Sequence, residues 1–152
     1  MTPLAVRKAF KGFEFGPHCT EEELRQAESL LGEPIPQLLR QLYQSFNGFL
    51  GPTAAQFLWP LRELSAGGAS FVEMNLFYRR DSFPQRLTSQ CLFYGDEGCG
   101  AQWGLKLDLP GKVIKWDAEW GEDFEIVGDD LLEVWLESKR RYDELDPRNG
   151  PK

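Results

Sequence analysis

The sequence predicts an α+β domain, with helices on one side of an antiparallel sheet of about four to six strands. Apolar residues recur at helical spacing through most of the first half of the chain and again near the C-terminus. Between these regions, apolar and polar residues alternate with the period of half-buried strands. At 152 residues the chain is most simply one domain, residues 1–143, followed by a flexible tail at 144–152.

Residues 1–48 predict three helices. A short helix fits the first twelve residues, with Pro3 in its first turn and Gly12 beyond its end. The letters FEF at 13–15 suggest a short strand. Thr20 and Glu23 then form a capping box, which predicts a helix that ends at Gly32. Its apolar face consists of Leu24, Ala27, Leu30 and Leu31.

A third helix is predicted to begin at Pro36 and to end at Asn47-Gly48, since both of these last residues tolerate positive φ. Its apolar face consists of Leu38, Leu39, Leu42, Tyr43 and Phe46. The segment FLWPLRELS reads as a short extended stretch that ends at Pro60, and a further helix is expected between Ser70 and Pro84.

A strand meander follows from Cys91. The letters CLFYG form one strand, and Trp103, Leu105 and Leu107 alternate with polar or small residues in the next. Two more strands are expected at VIKW and FEIV, and a last helix begins after Asp130, whose capping-box partner is Glu133. The tryptophans that fall in these periodic patterns are expected in the core: Trp59, Trp103, Trp116 and Trp135.

Composition excludes several classes of function. The net charge of −7 makes the chain a poor nucleic-acid binder, and the only short basic run is Lys139-Arg140-Arg141. No apolar run reaches the ~20 residues of a membrane span. Three irregularly spaced cysteines are expected to be free thiols, and the N-terminus lacks the pattern of a secretory leader. These features predict a cytoplasmic protein that does not act at a membrane.

The stretch LFYGDEGCGAQWGLKLD, from Leu92 to Asp108, raises several functional alternatives. Its glycines lead into a strand and lack the Gly-Lys-Ser/Thr of a phosphate loop. Neither calcium-type nor zinc-type ligand spacing is present, so no metal or cofactor is expected. A catalytic Cys99 would need His18, the only histidine, as its base. A hairpin turn explains the glycines most simply.

Acidic residues cluster around Trp120 in a predicted loop between two strands. Paired carboxylates could perform acid–base chemistry, but a solvated loop or a protein-binding loop explains them more simply. Tryptophan is favoured as an interface anchor, which makes binding the better functional alternative. The candidate contact residues, from this loop and from the hairpin turn, are Asp96, Glu97, Asp117, Glu119, Trp120, Glu122 and Asp123.

Several short motifs occur in an order that resembles the SUKH superfamily, which groups yeast cell-wall-synthesis regulators with bacterial immunity proteins. The resemblance spans residues 20–142. Trp103 departs from it, since the family often places Tyr or Phe there, and residues 1–19 have no counterpart. The matching residues are Glu28, Leu31-Gly32, Ile35-Pro36, Asn47-Gly48, Gly95, Gly98, Gly100, Asp108 and Trp116-Asp117.

The resemblance implies a binding protein without catalytic machinery. Its bacterial members commonly bind and block the toxin domain of a polymorphic or contact-dependent secretion system, and many such toxins are nucleases. An acidic inhibitor would complement the basic cleft of a nuclease. We therefore expect a cognate toxin, itself basic, as the partner. A regulatory or scaffold module without a toxin partner is the main alternative, and a small thiol enzyme is another. The oligomeric state stays open, with a monomer slightly favoured.

Overall fold

A computed structural model describes residues 1–51, 55–62 and 69–145. Within them the predicted α+β fold is confirmed, with four strands in one antiparallel sheet and two in another. The elements in chain order are α1 (Pro3–Ala9), β1 (Glu14–Phe15), α2 (Glu21–Leu31), α3 (Gln37–Ser45), β2 (Phe49–Leu50), α4 (Phe71–Tyr78), α5 (Gln85–Thr88), β3 (Cys91–Asp96), β4 (Gln102–Lys106), β5 (Val113–Trp116), β6 (Glu125–Gly128) and α6 (Leu131–Leu145).

Helix α2 forms as its capping signals predict, whereas α3 ends at Ser45, before the predicted Asn47-Gly48. The Thr20 hydroxyl accepts a hydrogen bond from the Glu23 amide at 3.1 Å, and the Thr20 amide donates to the Glu23 carboxylate at 3.0 Å. Gly32 ends α2 in the left-handed conformation, with φ at 76°. Glu28 then joins the two helices, because its carboxylate accepts from the Ile35 amide and from Arg40, each at 2.8 Å.

The main sheet is a meander in the order β3-β4-β5-β6, and helices lie against both of its faces. One face packs Leu92, Tyr94 and Trp103 into the core that α1, α2, α3 and α6 share. The other face carries Phe93 and Trp116, which Tyr78 of α4 and Leu87 of α5 cover. The expectation of helices on one side is thus corrected, because β3 is apolar on both faces and both must be buried.

The outer edge of β3 is covered by side-chain and loop contacts. The Asn75 side chain of α4 accepts from the Phe93 amide and donates to the Phe93 carbonyl, each at 2.8 Å. Farther along, the Trp59 amide donates to the Tyr94 carbonyl and the Asp96 amide donates to the Gln56 carbonyl. Asn75 therefore replaces a neighbouring strand at this edge. Strand β6 is the other edge of the sheet.

Other expectations differ from the structure at segment ends. The extended stretch before Pro60 contributes one bridge, Leu58 to Phe49, and its end at residues 63–65 lies outside the described residues. The short elements β2 and α5 were not predicted. Helix α6 runs to Leu145, and the remainder of the expected flexible tail, residues 146–152, lies outside the described residues. The four tryptophans expected in the core are all buried.

Candidate functional site

The two acidic loops singled out in the sequence lie at the same end of the sheet. In an antiparallel meander, the loop after β3 and the loop after β5 leave the sheet on the same side. Gln102, the first residue of β4, pairs with Trp116, the last residue of β5. The residues just before β4 and just after β5 are therefore neighbours. A Cβ atom on Gly100 would lie 3.3 Å from the Asp117 carboxylate. The fold therefore brings the two loops together.

The loop of residues 117–123, hereafter the acidic loop, has a fixed backbone. The Asp117 carboxylate accepts from the Glu119 amide at 2.9 Å and caps a short 3₁₀ turn, Ala118–Trp120. The buried Trp116 ring donates from Nε1 to the Gly121 carbonyl at 2.8 Å. Gly121 has a φ of 63°, a conformation that glycine adopts readily. These contacts attach the loop to the core of the sheet.

The charged side chains of the acidic loop point outward. Glu119, Glu122 and Asp123 are exposed, and none of them has an ion pair within the described residues. Trp120 is half-buried, whereas the other four tryptophans, all within the described residues, are buried. The loop thus presents unpaired carboxylates around one accessible indole, an arrangement suited to a basic protein surface.

Asp96, by contrast, does not lie on an open loop. It ends β3, where its carboxylate accepts from Trp59 Nε1 at 2.8 Å and from the Gly98 amide at 2.7 Å. Burial raises the pKa of Asp96 above its ordinary value, against the opposing effect of these two hydrogen bonds. Its role in the structure is to anchor the hairpin turn to Trp59.

Glu97 likewise turns inward, toward α6. Its carboxylate lies 2.9 Å from Lys115 Nζ and 3.4 Å from an Arg141 guanidinium nitrogen, and it accepts from the Ser138 hydroxyl at 3.0 Å. Tyr142 also donates to the Glu97 carbonyl. Glu97 was predicted as a contact residue in the hairpin turn, and the structure places its carboxylate against Lys115, Ser138 and Arg141. No local signal pointed to them, since Ser138 is 41 residues away.

Replacing Glu97 with glutamine tests this attachment. We expect E97Q to lower the free energy of unfolding by about 1–2 kcal/mol, because the partly buried Lys115 would lose its counter-ion. Urea unfolding measures the change. The variant E119Q serves as a control and should stay within about 0.5 kcal/mol of the parent, as its side chain is exposed. Equal stability of E97Q and E119Q would contradict the assigned role.

The three cysteines differ in their surroundings. Cys19 and Cys91 are buried, and burial raises the pKa of each thiol to about 12. Cys99 is exposed, and its Sγ lies 3.9 Å from the Glu97 carbonyl oxygen. His18 is exposed, and no hydrogen bond joins it to Cys99 in the described part of the chain. The geometry therefore provides no thiol–imidazole pair there.

Thiol labelling should reflect this difference. We expect a disulfide reagent at pH 8 to label one thiol per folded chain rapidly and all three in urea, since the buried groups remain protonated. A C99A variant should abolish the rapid phase. Rapid labelling of two or more thiols in the folded protein would contradict the burial of Cys19 and Cys91.

The described residues can also be compared with the requirements of metal binding, membrane spanning and phosphate binding. No group of three or more His, Cys, Asp or Glu residues could hold a metal ion in residues 1–51, 55–62 and 69–145. None of the helices in these ranges is long and apolar enough to cross a membrane. The basic run of α6 is neutralised locally, because its three cations pair with acids: Lys139 with Asp143, Arg140 with Glu137 and Glu144, and Arg141 with Glu97.

A family model described as the SMI1 / KNR4 family (SUKH-1) matches residues 18–138, which include every strand of the main sheet and most of α6. A search of curated proteins found no match.

Proposed function

The chain belongs to the SMI1 / KNR4 family (SUKH-1), and from this premise we propose that it is an immunity protein that binds and neutralises a cognate bacterial toxin domain. The neutralisation is stoichiometric and acts by protein–protein contact rather than by chemistry. We place the encounter in the cytoplasm of the producing cell, where the toxin would otherwise act.

The observation that carries this proposal is the acidic loop. Its three exposed carboxylates lack ion pairs within the described residues, while its backbone is held by Asp117 and by the Trp116 ring. A fixed loop loses little conformational entropy when it binds, and charges that lack partners gain one on contact. The loop therefore favours binding to a basic protein surface.

A nuclease domain is the toxin class that best suits this surface. A nuclease needs a basic cleft to hold phosphates, and an acidic loop seated in that cleft would exclude the nucleic acid. The net charge of −7 would also accelerate association with a basic partner. Trp120, the accessible indole in the loop, would supply the apolar anchor of the contact.

The proposed contact consists of residues in the acidic loop. Asp96 and Glu97, which were in the candidate set, would act behind it by holding the neighbouring hairpin turn and α6 in place. The residues that would touch the partner are Asp117, Glu119, Trp120, Glu122 and Asp123.

Capture of the partner at two salt concentrations tests the proposal. The tagged chain is incubated with lysate of its own cells at low and at high salt, and retained proteins are identified. We expect one stoichiometric basic protein whose retention falls at high salt, because exposed charge pairs are screened. That protein should be toxic when expressed alone.

Other results would favour the alternatives. A stoichiometric partner that is not toxic would point to a regulatory or scaffold module. Absence of any partner, together with a biological function that is lost in the C99A or H18A variant, would point to a thiol enzyme.

A further inference from the structure

A cleft of about 390 Å³ opens beside the acidic loop, between strand β6 and helix α6. Glu125 and Val127 form the wall that belongs to β6, and Glu133 and Glu137 form the wall that belongs to α6. Glu125 follows Asp123 by two residues, so one wall of the cleft begins shortly after the acidic loop in the chain.

The cleft combines apolar and anionic surfaces. Trp103, Val127 and Val134 contribute its apolar lining. The two cations that line it, Lys115 and Arg141, are already bound to Glu97, at 2.9 and 3.4 Å.

The carboxylates on the two walls have fewer ion pairs than the cations that line the cleft. Glu125 and Glu133 have no ion pair within the described residues, while Glu137 pairs with Arg140. The lining therefore combines apolar side chains with an excess of carboxylates over cations.

We propose that this cleft receives an arginine side chain of the partner, an inference that rests on the proposed function. The aliphatic stem of the arginine packs on Val127 and Val134, as long basic side chains do on apolar surfaces. Its guanidinium group, with five N–H donors, reaches Glu125 on one wall and Glu133 on the other. A partner that carries no arginine at this point would leave both carboxylates without a counter-ion.

Two other occupants fit the structure less well. A metal ion needs ligands that converge, and no cluster of three such residues occurs in the part of the chain that the structure describes. An added strand would pair with the edge of β6, but a bulge at Val127 interrupts the β6 register and Glu125 places a charge on the strand. Both features oppose strand addition. A side chain therefore suits the cleft better than a backbone segment.

Titration of the isotope-labelled full chain with Nα-acetyl-arginine methylamide tests the inference. We expect saturable shifts in the amide resonances of Val127, Gly128 and Val134, with a millimolar dissociation constant at physiological salt. The corresponding norleucine compound, which has no charge, should cause no saturable shifts. The lysine compound should bind more weakly, because an ammonium group cannot bridge the two walls as a guanidinium does.

The isosteric double variant E125Q/E133Q provides the matched test. We expect it to bind the arginine compound at least about tenfold more weakly, because two charge-assisted hydrogen bonds are lost. The variant E14Q/E22Q has the same net charge and should bind like the parent, since both of its substitutions lie outside the cleft. Unsaturable shifts, shifts spread over the whole surface, or equal binding by the two double variants would overturn the inference.

These results are independent of the capture experiment. If a basic toxic partner is captured but the arginine compound does not bind the cleft, the immunity proposal stands and the arginine site is wrong. If the arginine compound binds and no partner is captured, the proposed function fails while the cleft remains an arginine site.

Discussion

Replacing Asn75 with leucine is expected to lower the free energy of unfolding by about 3–4 kcal/mol. Asn75 is buried, and its amide satisfies both the N–H and the carbonyl of Phe93 at the edge of β3, each at 2.8 Å. Leucine is similar in size but has no polar atoms, so both backbone groups would lose their partner away from water. Urea unfolding, followed by tryptophan fluorescence, measures the loss.

The exposed amide Gln26 on α2 provides the control for this substitution. Q26L introduces the same side chain on a solvated face and should change stability by no more than about 0.5 kcal/mol. In N75L the Phe93 amide hydrogen should also exchange with solvent faster. If N75L is as stable as Q26L, the role assigned to Asn75 is wrong. Water or a shift of the strand would then satisfy the N–H and carbonyl groups of Phe93.

Reversing two charges of the acidic loop is expected to weaken partner binding by about 100-fold, which corresponds to about 2.7 kcal/mol. E119K/E122K would place two lysines opposite a basic surface, and like charges across an interface are strongly unfavourable. Both side chains are exposed, so the fold should remain intact. Isothermal titration with the captured partner measures the affinity, and thermal unfolding checks the fold.

The variant E14K/E22K makes the same change in net charge at exposed positions in β1 and α2. It should retain most of the affinity, with a loss that disappears at high salt, because only long-range attraction is reduced. Unchanged affinity in E119K/E122K would remove the acidic loop from the contact. Equal losses in the two variants would show that net charge, and not the loop, drives binding.

Local signals predicted most of the secondary structure. The capping box at Thr20 and Glu23 is present, and Asp130 accepts a hydrogen bond from the Glu133 amide at the start of α6. The glycine-rich stretch is a hairpin turn between β3 and β4, as its turn residues indicated. Each of these features depends on residues within a few positions of one another, so the sequence contains all the information they need.

Long-range contacts account for what the sequence did not reveal. Glu97 was assigned to the hairpin turn from local signals alone, and in the structure it contacts Lys115, 18 positions away, and Ser138, 41 positions away. Asn75 sits in a helix, and nothing near it in the sequence indicates that it covers a strand edge. Such pairs depend on how elements pack, which periodicity alone does not specify.

The sequence of β3 contains a signal that both faces of the sheet are buried, and the prediction of helices on one side did not use it. Four successive residues of β3, Cys91 to Tyr94, are apolar or aromatic, and all four are buried. A half-buried strand would alternate, whereas a continuous apolar run indicates cover on both sides. The loop after β5 shows the opposite pattern, because it has no continuous apolar run and its acids Glu119, Glu122 and Asp123 are exposed.

The most direct test of the central claim is a growth measurement in cells that express the captured partner. The partner is induced alone, with the parent chain, or with E119K/E122K, at matched protein levels. The account predicts that the partner alone stops growth, that the parent chain restores it, and that the double variant fails to do so. Normal growth with the partner alone, or no rescue by the parent chain, would contradict the claim that this protein neutralises a toxin.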